Sequence, residues 1–384
     1  SDVPIGAFLS GGIDSSTIVA MMGVASARPV ETFTVGFSEP AYDESRYAAA
    51  VASYLGTDHH ELVVSPSEAR EVIPLLPGMY DEPFADSSQI PTFLVSRLAR
   101  RHVTVSLAGD GGDELFGGYD RYRHLDRFHR VMSFWPAPIR RVGGSMLRSV
   151  PSSAWDRLGT GTLARLLPGG SRGRLGHLAN KAARVLAAAD PARTYEAMMT
   201  AENSAEEFVI GSEVPAKGLY DLPEGFSGRG GFEAAMLMDT VAYLPDDLLT
   251  KTDRASMAVS LEARLPLLDP EVFRFAWSLH QRDRFRDGSG KWAMRRLLDR
   301  YVPSNLTDRP KMGFGVPVGP WLRGPLRGWA DGLLDPGLLA EQGLFDPALV
   351  SARWSDHVEG RADHTFLLWS VLVFQAWQHE LAIR

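Results

Sequence analysis

With 384 residues, 45% of them hydrophobic, the chain can hold one large α/β domain or two ordinary ones. Its formal charge of −7 argues against a general binder of nucleic acids or anionic membrane surfaces. No cysteine is present, which excludes disulfides, thiolate metal sites and a cysteine nucleophile within these residues.

The apolar run 3–9 (Val-Pro-Ile-Gly-Ala-Phe-Leu) predicts a buried strand. It leads into Ser10-Gly11-Gly12-Ile13-Asp14-Ser15-Ser16, a glycine turn that opens directly into a helix over 14–25. Two adjacent glycines allow a tight turn whose N–H groups converge. The helix N-terminus adds orphan donors and a positive dipole end, a combination that suits an anion such as pyrophosphate. Ser10, Ser15 and Ser16 supply hydroxyls, and Asp14 supplies a hard oxygen ligand for Mg²⁺. The spacing is too short for a Walker A loop, and no lysine precedes the serines.

Strand and helix signals then alternate. Residues 31–37 predict a second strand, 43–55 a helix, 60–64 a third strand, and Ser65-Pro66-Ser67-Glu68 the start of another helix. A helix over 90–101 precedes a fourth strand over 103–108. This is the pattern of a parallel sheet with helices on both faces, in which ligands sit at the carboxyl ends of the strands. Leu9–Ser16, Val35-Gly36 and Gly109–Asp113 all fall at such ends.

The fourth strand runs into Gly109-Asp110-Gly111-Gly112-Asp113-Glu114-Leu115-Phe116-Gly117-Gly118-Tyr119. Beside the opening loop, this acidic turn would repel Asp14 unless a cation joined them. Asp14 and Asp113 can hold Mg²⁺ between them, leaving Asp110 to face the reacting carboxyl or amine. The ten histidines show no metal spacing, and His59 and His60, adjacent on a strand, point to opposite faces.

Three stretches organise the chain: a sheet core over 1–122, a helical excursion over 123–231 rich in Arg, Ala, Gly and Ser, and a mostly helical part over 232–384. Helices are expected near 138–147 and 194–200, and an exposed loop at 222–231. Residues 366–377 are too short and too polar at Ser370 and Gln375 to span a bilayer, which predicts a buried C-terminal helix. With no secretory signal at its start, the chain reads as cytoplasmic.

The string SGGIDSS resembles the pyrophosphate loop of the ATP pyrophosphatases, which cut ATP between the α and β phosphates. GDGGDELFGGY (109–119), YLPDDLLTKTDRASMAVSLEARLPLLD (243–269), GSGKWAMRRLL (288–298) and RPKMGFGVP (309–317) narrow the resemblance. In this order they are similar to the motifs of glutamine-hydrolysing asparagine synthetases, in the synthetase domain alone. The resemblance implies an α/β fold of the adenine nucleotide α-hydrolase-like kind and a ligase using ATP and Mg²⁺. Aspartate would become β-aspartyl-AMP and then, with ammonia, asparagine. It places ATP against Leu9, Val35, Gly36 and Gly109, and pyrophosphate against Ser10, Gly11, Gly12, Asp14, Ser15 and Ser16.

Asp110 stands where some members have Glu, and Lys291 matches the catalytic lysine expected at the α-phosphate. Arg254 and Glu262 are candidates for holding aspartate or Lys291, the 87–89 helix start for a substrate carboxylate, and Arg309 with Lys311 for a lid. The family's glutaminase domain, with its cysteine nucleophile, would precede Ser1, so ammonia from glutamine would come from a partner domain missing here. The family forms dimers, so a homodimer is an expectation, although an interface carried by the glutaminase half would be absent. Two other readings stay open: a related adenylating amidotransferase or cyclase, such as a β-lactam synthetase, and a silent nucleotide-binding module.

Overall fold

The computed structural model describes residues 2–39, 42–132, 134–150, 155, 175–188, 191–200, 208–212, 230–308 and 315–383. They form two compact units. The first joins residues 1–82, 86–120 and 239–316, and the second joins 83–85, 121–238 and 317–384.

The first unit is built on a five-stranded, wholly parallel sheet in the order β3-β2-β1-β4-β5. Its opening elements follow the predicted alternation: β1 (Ile5–Phe8), α1 (Ile13–Ala25), β2 (Glu31–Phe37), α2 (Ser45–Leu55) and β3 (Asp58–Val64). After β3 come α3 (Pro66–Glu71), α4 (Gln89–Ala99), β4 (Val105–Leu107) and the short α5 (Gly112–Phe116). Helix α3 starts with a capping box, in which Ser65 Oγ accepts from the Glu68 amide and Glu68 from the Ser65 amide at 2.8 Å.

One strand departs from the sequence reading. Glu262–Arg264 forms β5, parallel to β4 with Ser106 opposite Ala263, inside a stretch read as helical. Three residues are too few to show a period of two, and the proline that follows at Pro266 marks a break without saying whether a strand or a helix precedes it. Its neighbour Asp239–Leu249 winds as a π-helix with Pro245 inside it, and runs on into the helix Thr250–Met257.

Chain direction across the sheet reverses at β1, with β2 and β3 on one side and β4 and β5 on the other. Such a switch point opens a crevice at the carboxyl ends of the two strands that flank it, here β1 and β4. Helix α1 leaves β1 at that crevice, buried between two apolar clusters. Val19 packs with Ala7, Leu9, Ala48 and Val51. Ile13, Ile18 and Ala20 pack with Leu115, Phe116, Met294 and Leu298. The second cluster seats the helix Trp292–Leu298 against α1, so residue 291 arrives at the start of α1. Each large apolar side chain removed from water here contributes about 1.5–3 kcal/mol.

The second unit is helical in its described parts. Ala137–Ser149 and Pro191–Met199 cover the expected helices, and Leu175–Ala187 is a further one. Tyr122, Leu125, Tyr195, Phe232 and Met236 are buried in it, with the rings of Tyr122 and Phe232 edge to face at 5.8 Å. The C-terminal helix Thr365–Ile383 is apolar on most sides and buries Leu368, Trp369, Val371 and Leu372, as predicted. Most of the anticipated loop 222–231 and the segment holding Arg309 and Lys311 lie outside the described residues.

Candidate active site

The Ser10–Ser16 turn is shaped by its own atoms. Gly11 takes φ +77°, and a Cβ there would lie 2.7 Å from the Tyr47 backbone, so only glycine fits without displacing α2. Ser10 and Ser15 hydroxyls lie 3.0 Å apart, the Ser10 amide donates to Ser15 Oγ at 3.2 Å, and Ser15 Oγ donates to the Gly12 carbonyl at 3.3 Å. Gly12 is the N-cap of α1 and brings no side chain to the first-turn amides. These donors therefore face outward at a positive helix end, the arrangement that binds an anion. Ser16 differs from its neighbours: its side chain is fully buried, and its amide closes the first helical turn on the Gly12 carbonyl.

A cleft of about 490 Å³ opens beside this turn, within the range of small-molecule sites. Leu9, Ser10, Gly12, Asp14, Ser15, Val35, Gly109, Asp110 and Asp113 line it, which brings together the three predicted strand ends. Gly11 and Gly36 pack behind the lining, against Tyr47 and against Asp43 with Ser45 respectively.

Lys291 is buried beneath the cleft, where its ammonium donates to Asp14 and lies 2.9 Å from Asp113 Oδ1. Burial alone would lower its pKa, but the Asp113 and Asp14 carboxylates raise it, so it is an ammonium throughout the physiological range. Its backbone sits in the left-handed region at φ 56°, and its amide donates to the Phe116 carbonyl at 3.2 Å. For a side chain other than glycine, such a conformation costs about 1–3 kcal/mol and persists where the surroundings enforce it.

The glycines of the acidic turn make room for this group. A Cβ on Gly112 would overlap Asp14, and one on Gly118 would overlap both Asp113 and Lys291. Two carboxylates across a glycine-lined cradle are a hard-oxygen donor set that fits Mg²⁺. Asp14 and Asp113 would hold the ion.

Sequence reasoning missed a second charged group. Lys251, buried at the start of the helix Thr250–Met257, donates to Asp86 Oδ2 at 2.9 Å and to Ser88 Oγ at 2.8 Å. Burial opposes its charge, while Asp86, Asp110 and Asp247 raise its pKa. Burial likewise opposes ionisation of Asp86, but Lys251 and Ser88 hold its carboxyl below the usual range. Asp247 is pushed up to about 6 by burial and by Asp86. Asp110 accepts from Thr252 Oγ1 at 3.3 Å, and burial raises its carboxyl. Lys251 was hidden in sequence because seven charges crowd 246–264 and spacing does not say which of them turns inward.

The structure corrects two candidates from that stretch. Arg254 is exposed and pairs with Asp253 and Asp81, while Glu262 pairs with Arg264. Neither lines the cleft or touches Lys291. Ser87 and Ser88 do line the cleft, yet the Ser88 amide already donates to Asp86 Oδ1 at 2.9 Å, so the chain's own carboxylate occupies that helix start.

Glu114 and Tyr119, also in the lining, form a buried acid pair, with the tyrosine hydroxyl donating to Glu114 Oε1 at 2.7 Å. Burial first and Asp113 second push Glu114 up to about 7. Burial, Glu114 and Asp113 also raise the Tyr119 phenol. Its ring meets that of Tyr243, on the π-helix, edge to face at 6.3 Å.

A serine–glycine turn at a sheet switch point, facing an acidic turn whose charge a buried lysine balances, defines an α/β nucleotide-site domain of the adenine nucleotide α-hydrolase-like class. The asparagine synthase family model matches residues 1–379, and the chain belongs to that family. A protein of Mycobacterium bovis named putative asparagine synthetase (glutamine-hydrolyzing) is 35% identical over 382 residues, covering 98% of this chain and 54% of that protein. Asparagine synthetase (glutamine-hydrolyzing) 1 of Bacillus subtilis is 30% identical, covering 98% of this chain and 56% of its own length. Asparagine synthetase B of Escherichia coli is 37% identical over 137 residues, 31% of this chain. The chain thus spans about half the length of the first two relatives. No helix among the described residues is long and apolar enough to cross a membrane.

Proposed function

We propose that this chain forms asparagine from aspartate, ammonia and ATP. The side-chain carboxylate of aspartate attacks the α-phosphorus, the bond to the bridging oxygen breaks, and pyrophosphate leaves. Ammonia then attacks the acyl carbon of β-aspartyl-AMP, the acyl C–O bond breaks, AMP leaves, and the attacking nitrogen gives up a proton.

The observation that carries this reading is Lys291, buried between Asp14 and Asp113 at the mouth of the serine–glycine turn. A fixed cation beside an anion cradle suits a reaction in which charge builds on phosphate, because a preorganised charge needs no reorganisation during the step. Ser10, Ser15 and the first amides of α1 hold the departing pyrophosphate. Leu9 and Val35, with Thr92 and Val95 of α4, enclose the nucleoside end of the cleft. Lys291 exchanges a carboxylate partner for an α-phosphate oxygen and stabilises the charge there. Asp110, its carboxyl raised by burial and oriented by the Thr252 hydroxyl, receives the proton from the attacking nitrogen. Lys251 gives the opposite wall a cation for a substrate carboxylate. When bound, Mg²⁺ neutralises phosphate charge and keeps the displacement in line.

Incubation with ATP, Mg²⁺, ammonium and aspartate should yield AMP, pyrophosphate and asparagine in equal amounts. ADP as the product would overturn the reading, and turnover with another acid alone would transfer it to a different amide. Lys291→Ala should retain ATP binding and lose about 10²–10³-fold in pyrophosphate release. Undiminished release by that variant would remove Lys291 from the chemistry.

A further inference from the structure

A second cluster lies at the opposite, amino-terminal rim of the sheet. Glu31 begins β2, and Phe33 stands in register with His60 of β3, as Glu31 does with Asp58. In a parallel pair, these four residues project from one face. His59 points the other way, its Nδ1 lying 2.9 Å from Thr32 Oγ1, as its place in the strand predicted. On the first face, His60 Nε2 lies 2.7 Å from Glu31 Oε2 and 3.8 Å from Asp58 Oδ1. The turn after α4 brings in His102, whose ring centroid is 3.8 Å from that of His60. Fully buried Phe33 floors the group, 5.3 Å from His60 and 5.7 Å from His102.

One ligand atom each from Glu31, His60 and His102 falls within 4.8 Å of the other two. Tetrahedral Zn²⁺ with bonds near 2.0–2.2 Å sets its ligand atoms about 3.4 Å apart, so small side-chain rotations would close the shell. Two imidazoles with a carboxylate select a divalent first-row transition ion over Mg²⁺, whose ligands are oxygens. His102 is exposed and Glu31 and His60 are half-buried, so an ion can enter from solvent, while Phe33 supplies an apolar floor. Sequence spacing does not reveal this group because its donors lie on three elements, Glu31 and His60 alone being 29 residues apart.

We propose that Glu31, His60 and His102 bind one Zn²⁺-class ion, with Asp58 available as fourth ligand, and that this ion clamps β2, β3 and the α4–β4 turn together. Val35 lies four residues further along β2, about 13 Å from Glu31, so the ion would act on the scaffold and not on the reaction.

The test is calorimetric titration of the full chain with ZnCl₂ in excess Mg²⁺, which saturates the oxygen-lined cradle. One Zn²⁺ per chain should bind and raise the melting temperature by about 2–4 °C. His102→Ala, a change at an exposed position, and His60→Ala should each weaken binding by about tenfold or more. An anomalous zinc peak in a crystal should lie between His60 Nε2 and Glu31. Unchanged affinity in His102→Ala, or a zinc peak only at Asp14 and Asp113, would overturn the site.

Discussion

Glu114 lines the cleft with its carboxyl raised from 4.5 to about 7, mainly by burial and then by Asp113. Between those two values the folded protein keeps a proton that the unfolded chain has released. The stabilisation from this group is therefore complete below about 4.5, and it is lost as pH rises through about 7. A shift of that size is worth about 3 kcal/mol. Glu114→Gln keeps an oxygen for the Tyr119 hydroxyl and cannot ionise. Its stability relative to the parent should therefore rise by about 3 kcal/mol between the two pH limits in Mg²⁺-free urea unfolding. A difference that stays constant with pH would show that Glu114 does not titrate there. Burial opposes charge on both groups, yet Lys291 stays charged because two carboxylates outweigh it, whereas Glu114 has a neighbour of its own sign.

At the scale of elements, the acidic turn is more demanding than its composition suggests. Gly118 leaves the volume in which Asp113 and Lys291 meet, and an added methyl would have to move both. Gly118→Ala should cut turnover at least tenfold, about 1.4 kcal/mol in transition-state terms. Gly332, in the helix Arg327–Leu333, has open space where a Cβ would go, so the same exchange there should stabilise by about 0.5–1 kcal/mol. Equal effects at the two positions, in kinetics and melting, would mean that the space beside Gly118 is not needed. Lys291 shows the complementary constraint, since its left-handed backbone is held by the packing of Trp292–Leu298 on α1.

At the scale of the whole molecule, the absence of any thiol bears on the nitrogen source. Release of ammonia from glutamine by the route the family resemblance implies begins at a cysteine, and these 384 residues have none. Amide formation by this chain should proceed with ammonium and show no response to glutamine as the sole donor. Asparagine appearing with glutamine alone, in ammonium-free buffer, would contradict this. The division into two units adds a second point: the sheet and Lys291 share one compact body although 277 residues separate Lys291 from Asp14.

The amino-acid sequence by itself determined the alternation of the first four strands with helices, the serine–glycine turn and the acidic turn. These are local signals, written in periodicity, capping residues and glycine spacing. It also placed Asp14, Asp110 and Asp113 at strand ends, because a parallel sheet carries its ligands there. Tertiary structure alone decided the rest. It set β5 beside β4, turned Lys251 rather than Arg254 inward, and brought Lys291 down onto Asp14 and Asp113. It likewise gathered Glu31, His60 and His102 at the far rim. The physical reason is common to all four: they depend on which side chains lose water together, and packing across long stretches of chain settles that.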